Sequence, residues 1–263
     1  MSSWITNRKS RNLIVLNIFH FSGQPFDPSL PFVKSVANVI CTLSFGHQFA
    51  LEDKNLQKLV QNINNIEKVA GGVFHMLFEM APWLMKQLPG PHQKALDSAE
   101  FILSFGRQEI ERHKQYQSLH EPQDFIDFYL LQIEKNRNDP NSVYNEENLA
   151  CCLAELFVAG TDTTFSTLMW AVLLLANHPD IQEKVHKEIE EIFGASGSIS
   201  YQDRHKLPYT NAVIHETQQA KYITLIVIPR ESIRDVNMAG FHIPKGTVIL
   251  SDLHSVLLDP ELF

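Results

Sequence analysis

The chain is short of cysteine, of cationic runs and of long apolar stretches, and each shortage closes off a class of protein. Only three cysteines occur in 263 residues, at Cys41, Cys151 and Cys152. An adjacent pair does not easily close a normal disulfide and no Cys/His spacing suits a metal, so neither a disulfide scaffold nor a structural zinc site is encoded. The three read as reduced, buried thiols. Lys and Arg number 22 against 30 Asp and Glu, a net charge of -8. No basic run interleaves with aromatics, which sets aside DNA and RNA binding. The apolar stretch from Asn12 to Phe21 is too short to cross a bilayer and lacks a small-residue cleavage site. No transmembrane helix is expected, and any membrane contact would be peripheral.

Glycine is sparse too, at 11 residues. It forms neither a phosphate-binding loop nor a dinucleotide fingerprint, since Gly194 and Gly197 fall in a loop after a helix. The run His215-Glu216-Thr217-Gln218-Gln219 imitates a zinc-protease helix, but Gln219 stands where the second histidine must be. No serine sits in a nucleophile elbow.

What is present is a helical text with a β-rich ending. The 44% hydrophobic content suffices for one large core or two modest ones. Three-to-four spacing marks helices over Leu30 to Phe45, stopped by Gly46, and over Asp53 to Met80, interrupted at Gly71-Gly72. Ala81 to Pro91 is an unusually apolar, proline-rich loop around Trp83, either a membrane or ligand-entrance element or a loop packed on its neighbours. Helices follow over His92 to Leu119, Phe125 to Lys135 capped by Asp124, Pro179 to Phe193, and Tyr209 to Ala220. From Ile223 the texture turns to strands, at 223–228, 232–238 and 247–251. The spacing predicts a mainly α fold with a small β-sheet.

The longest element runs from about residue 146 to 177, with Asn145 as N-cap and Glu146 and Glu147 in the first turn. No a/d heptad sustains it, and Glu155, Asp162 and the Ser/Thr cluster from Thr161 to Thr167 argue against lipid. A central strut buried on most sides is expected. In its middle, Ala159 and Gly160 would let a planar cofactor or small ligand approach the backbone. Thr163 is placed to bond the carbonyl of Ala159, and Asp162 beside it supplies an acid next to an alcohol, the parts of a proton relay. Tight helix packing around a locally satisfied aspartate explains the same residues.

The motif Ala159-Gly160-Thr161-Asp162-Thr163-Thr164 resembles the oxygen-activating helix of cytochromes P450. Other stretches agree in order and spacing: Gly23 to Pro28, Asp124 to Asp127 with Tyr129-Leu130-Leu131, Leu207-Pro208-Tyr209 before the Glu216 helix, and Ile243 to Thr247. The likeness covers residues 23–263, sets 1–22 apart as a divergent segment, and is closest to microsomal family-two enzymes, particularly those that epoxidise arachidonic acid. It implies part of a haem-thiolate monooxygenase fold organised around the long helix. It further implies a lipophilic substrate or fatty acid, dioxygen, an NADPH-dependent reductase and a place at the endoplasmic reticulum membrane. Asp162 and Thr163 would deliver protons, Ala159 and Gly160 would lie against haem, and Arg230 would pair with a propionate. Leu225, Ile226, Val227 and Ile228 would overlie the substrate pocket, and the Trp83 loop would dip into the membrane.

Three departures are expected to matter. Where the family pairs the Glu216 position with an arginine three residues on, this chain has Gln219, and losing one partner of a buried pair typically costs about 3 to 5 kcal/mol. Lys221 does not obviously replace that arginine. The chain stops at Phe263 before the family's cysteine-bearing haem loop, and the membrane anchor and early helices have no counterpart. The chain alone is therefore expected to be inactive. The competing reading is a non-catalytic fragment or a helical module that binds lipid or a partner.

Overall fold

A computed structural model describes residues 27–116, 122–194, 201–223, 229–259 and 261. The chain divides into two compact units, residues 1–165 and 166–263.

The first unit is built from helices α1 (Ser29–Phe45), α2 (Lys54–Glu67), α3 (Val73–Met80), α4 (Pro82–Met85), α5 (Pro91–Tyr116), α6 (Phe125–Lys135) and the first half of α7 (Glu146–Asn177). Their ends follow the local signals. Gly46 closes α1 in the left-handed region at φ 71°, where a glycine has no Cβ to clash. Asp53 caps α2 by accepting from the Asn55 amide at 2.7 Å, and Gly71, also at φ 71°, turns the chain between α2 and α3. Asp124 caps α6 through the Asp127 amide and Asn145 caps α7 through the Asn148 amide. The expected proline-rich loop contains the four-residue α4. The helix expected to reach Leu119 is described to Tyr116; residues 117–121 lie outside the described residues.

One apolar core joins these helices. Cys41 of α1, Leu56 and Leu59 of α2, Ile110 of α5, Ile126 of α6, and Leu149, Leu153 and Phe157 of α7 are fully covered, as are the small Ala37 and Ala150. Burying each large side chain contributes about 1.5 to 3 kcal/mol relative to leaving it exposed. Gly106 of α5 faces the Ala150 carbonyl and the Leu153 side chain of α7, each 3.6 Å from where a Cβ would sit, an ordinary contact distance.

The expectation of a strut buried on most sides needs correction. The buried residues of α7 are Leu149, Ala150, Leu153, Phe157 and Thr161, and none follows. Trp170 remains 38% exposed and Leu173 49%. Both halves are equally apolar in sequence, so periodicity does not tell the covered half from the uncovered one. By length and composition α7 also meets the criterion for a membrane-crossing helix, against the expectation that none would; its first half is nevertheless committed to the core.

The second unit contains α8 (Pro179–Phe193), a 3-10 turn (Tyr201–Lys206), α9 (Pro208–Ala220), strands β1 (Arg230–Glu231), β2 (Val236–Met238), β3 (Phe241–Ile243) and β4 (Val248–Ile249), and α10 (Leu253–Leu257). Glu188 of α8 caps α9, accepting from the Tyr209 amide at 2.8 Å, the Thr210 amide at 2.7 Å and the Thr210 hydroxyl at 2.6 Å. Burial alone would raise its pKa, but these bonds hold it below the usual glutamate value. The strands form two antiparallel pairs instead of one sheet. Arg230 lies opposite Ile249 in β1–β4, and Val236 opposite Ile243 in β2–β3. The β2–β3 hairpin turns on Ala239 and Gly240, at φ 51° and 86°, the positive values of a type I′ turn.

Candidate functional site

The residues brought forward by the sequence meet around the middle of α7. Thr163 Oγ1 donates to the Ala159 carbonyl at 2.8 Å, as a threonine inside a helix can. Ala159 and Thr163 are exposed, Asp162 is half-buried and Thr161 is fully buried. Successive residues therefore serve different faces. Thr161 turns to the core, where its hydroxyl has no partner among the described residues, while the Ala159–Thr163 pair lies on the open side.

The Asp162 charge acts on Glu67, the last residue of α2. Glu67 Oε1 is buried and finds no donor among the described residues. Burial foremost, and then the Asp162 charge and hydrogen bond, raise the Glu67 pKa to about 7. Sequence reasoning missed Glu67. It ends an ordinary amphipathic helix, and no local spacing links residue 67 to residue 162.

Gly160 serves a different neighbour from the one its small size suggests. A Cβ built there would lie 2.6 Å from Ile40 Cδ1, so α1 fills that side of the helix. Of the two small residues, Ala159 is the one on the exposed face.

The other named residues lie in the second unit. Arg230 is exposed on β1, and no described residue forms an ion pair or hydrogen bond with its guanidinium. Leu225, Ile226, Val227 and Ile228 lie outside the described residues. Glu216 is exposed, whereas Gln219 donates through Nε2 to the Leu257 carbonyl at 2.8 Å, tying α9 to α10. Lys221 sits with Nζ 5.1 Å from the Trp170 ring centroid, a cation–π contact worth about 0.5 to 1 kcal/mol when exposed.

Two further groupings are structural. His113, Asp124 and Asp127 have ligand atoms within 4.8 Å of one another, yet each is already engaged. His113 bonds the Glu109 carbonyl at 2.7 Å and pairs with Asp124 at 3.0 Å; Asp124 caps α6, and Asp127 accepts from the Gln123 amide. Burial would lower the His113 pKa, but Asp124 and the Glu109 carbonyl outweigh it and raise the value. Around Trp83, the buried His92 bonds the Met85 carbonyl at 2.7 Å and stacks on Phe74, and Gln93 gathers the carbonyls of Met85, Lys86 and Leu88. This pinning leaves Val73, Met80 and Trp83 at 69%, 82% and 70% exposure.

None of the three thiols suits an axial iron ligand, which must be an accessible thiolate. Cys41 is fully buried in the core and burial pushes its pKa far up. Cys151 and Cys152, expected to be buried, are only half-buried on the first turns of α7, where burial still raises the Cys152 pKa.

Comparison with family models matches residues 8–263 to the cytochrome P450 family, a span that takes in part of the segment set apart as divergent. Among curated relatives, cytochrome P450 2J2 of Homo sapiens is 40% identical over 239 residues, 91% of this chain and 48% of the relative. Cytochrome P450 2J1 of Oryctolagus cuniculus gives the same identity and coverage. Cytochrome P450 2C44 of Mus musculus is 34% identical over 252 residues, 95% of this chain and 51% of the relative. The chain thus spans about half the length of the curated relatives it matches.

Proposed function

The chain belongs to the cytochrome P450 family, and on that premise we propose that it is the middle portion of a haem-dependent monooxygenase that hydroxylates or epoxidises lipophilic compounds. Fatty acids such as arachidonic acid, or lipophilic foreign compounds, are the substrate class. The observation that carries the reading is the Thr163-to-Ala159 bond beside Asp162 at mid-helix, within a chain that matches the family. The Thr163 hydroxyl, tied to its own helix by that bond, stands at the exposed face beside the acid. Asp162, one residue away and half-buried, supplies the acid.

Haem, bound in the complete protein, supplies the oxygen-activating chemistry; electrons come from an NADPH-dependent reductase. The thiols of this chain do not fit as its axial ligand, which supports the reading that these 263 residues by themselves do not turn over. The exposed apolar face of α3 and α4 supports peripheral contact with the endoplasmic reticulum membrane, because aliphatic and indole side chains held out by His92 and Gln93 suit a lipid interface.

The test is Thr163→Ala in the complete, haem-loaded protein with reductase. NADPH consumption is expected to persist while product per NADPH falls by roughly tenfold or more, within the range of acid–base contributions. An unchanged ratio refutes the relay. The thiol argument is checked by reducing the 263-residue chain with haem under carbon monoxide: no thiolate-type Soret band is expected, and its appearance refutes the inactive reading.

A further inference from the structure

We propose that Ile40 of α1 is a positioning residue for the relay: its side chain rests on the backbone of α7 at Gly160 and fixes the turn in which the Thr163 hydroxyl meets the Ala159 carbonyl. The inference rests on the monooxygenase reading for its consequence, though not for the contact itself.

The contact is side chain against main chain. A Cβ built on Gly160 would stand 2.6 Å from Ile40 Cδ1 and 3.1 Å from Cγ1, so Ile40 occupies the room that a side chain at 160 would take. With nothing adaptable between them, a displacement of one is felt directly by the other. The amide nitrogen of Gly160 belongs to the same planar peptide unit as the Ala159 carbonyl, and that carbonyl accepts from Thr163 Oγ1 at 2.8 Å. Ile40 therefore bears on the residue that shares a rigid unit with the acceptor of the relay hydroxyl.

The turn has use for such a support. A threonine bonded to the carbonyl four residues back tends to bend its helix, and packing against the turn sets how far. Thr161 is the last buried residue of α7, so the relay turn stands where the core stops holding the helix. Ile40 is itself well held. Its neighbours Ala37 and Cys41 are fully covered, and Ile40 is half-buried against the same core. Asn38 ties this stretch of α1 to the loop that follows it, donating through Nδ2 to the Phe49 carbonyl at 2.7 Å and accepting through Oδ1 from the Phe49 amide at 2.8 Å. Branching at Cβ restricts the isoleucine's χ1, which leaves only its terminal methyl adaptable. The support thus comes from a stiff side chain on an anchored helix.

The test uses the complete, haem-loaded protein with reductase. Ile40→Val removes only Cδ1, the carbon nearest Gly160. Hydrogen exchange of the amides at 160–164 is expected to quicken about three- to tenfold relative to those at 149–153 of the same helix, the range that follows from one methyl group lost from a packed contact. Product per NADPH should fall about threefold or more with KM unchanged, because a small misplacement of a reacting group costs rate steeply. Ile126→Val, which trims a fully buried side chain on α6, should do neither. Ile40→Val/Gly160→Ala returns a methyl group from the other side of the contact and should restore both readouts. Equal quickening in Ile126→Val, or none in Ile40→Val, overturns the contact as a local support. Quickened exchange with product per NADPH unchanged, in a protein that Thr163→Ala does uncouple, overturns the positioning role. A double variant that folds and restores neither readout overturns the proposal; should it not fold, the exchange and coupling of Ile40→Val against Ile126→Val decide. Failure of Thr163→Ala to uncouple, with the exchange result as expected, strikes the monooxygenase reading instead, so the two failures are distinguishable.

Discussion

Gly160→Ala separates two uses of the same glycine: admitting a cofactor and admitting a helix. The added Cβ would approach Ile40 Cδ1 to 2.6 Å, well inside ordinary contact. Overpacking of this kind costs about 1 to 3 kcal/mol, while alanine is better than glycine in a helix interior by about 0.8 to 1 kcal/mol. Ile40 Cδ1 is the far end of a half-buried, partly adaptable side chain, so relaxation trims the clash. The net expectation is a loss of about 0 to 2 kcal/mol. In an Ile40→Ala background the obstacle is gone, and Gly160→Ala should then stabilise by up to about 1 kcal/mol. The sign reversal is the diagnostic, and a double-mutant cycle in urea, followed by circular dichroism, reads it. Equal destabilisation in both backgrounds would refute helix crossing as the reason for the glycine.

Other expectations follow from single contacts. Phe157→Ala empties the centre of the first unit's core, where Phe157 is 0% exposed, and should cost about 3 to 5 kcal/mol in chemical denaturation. The raised pKa of His113 means its stabilising contribution is fully present below the unfolded value near 6.5 and is lost as pH rises through the folded value; His113→Phe should remove that slope, and an unchanged slope refutes the pairing. Glu67, raised from 4.5 to about 7, gives a penalty that grows as pH rises from the first value to the second, so Glu67→Gln should flatten the earlier window only. Ala239→Gly relieves a left-handed residue at φ 51° and should stabilise by about 1 kcal/mol. In thiol labelling at neutral pH, Cys41 should react only on unfolding, since it is 0% exposed.

The fold was legible where the chain announces its own breaks. Asp53, Asp124 and Asn145 act as caps, and Gly46 and Gly71 as stops, each through its own backbone or side-chain geometry. The sheet was less legible, because Arg230 pairs with Ile249 across 19 positions of sequence while Val236 pairs with its near neighbour Ile243, and alternation alone does not assign partners. In the site, Thr163 and Ala159 are four residues apart and were readable as a pair. Glu67 and Asp162 belong to different helices, so no local spacing could have linked the Asp162 charge to the raised pKa of Glu67. Gly160 showed its smallness in the sequence, but not that Ile40 takes up the room.

The neutral tie from Gln219 to the Leu257 carbonyl carries a consequence for solution conditions. An arginine–glutamate tie would draw on Coulomb attraction and weaken as ions gather around it. An amide donating to a carbonyl has no net charge to shield, so the docking of α10 on α9 should be indifferent to ionic strength and yield instead to urea, which competes for hydrogen bonds directly.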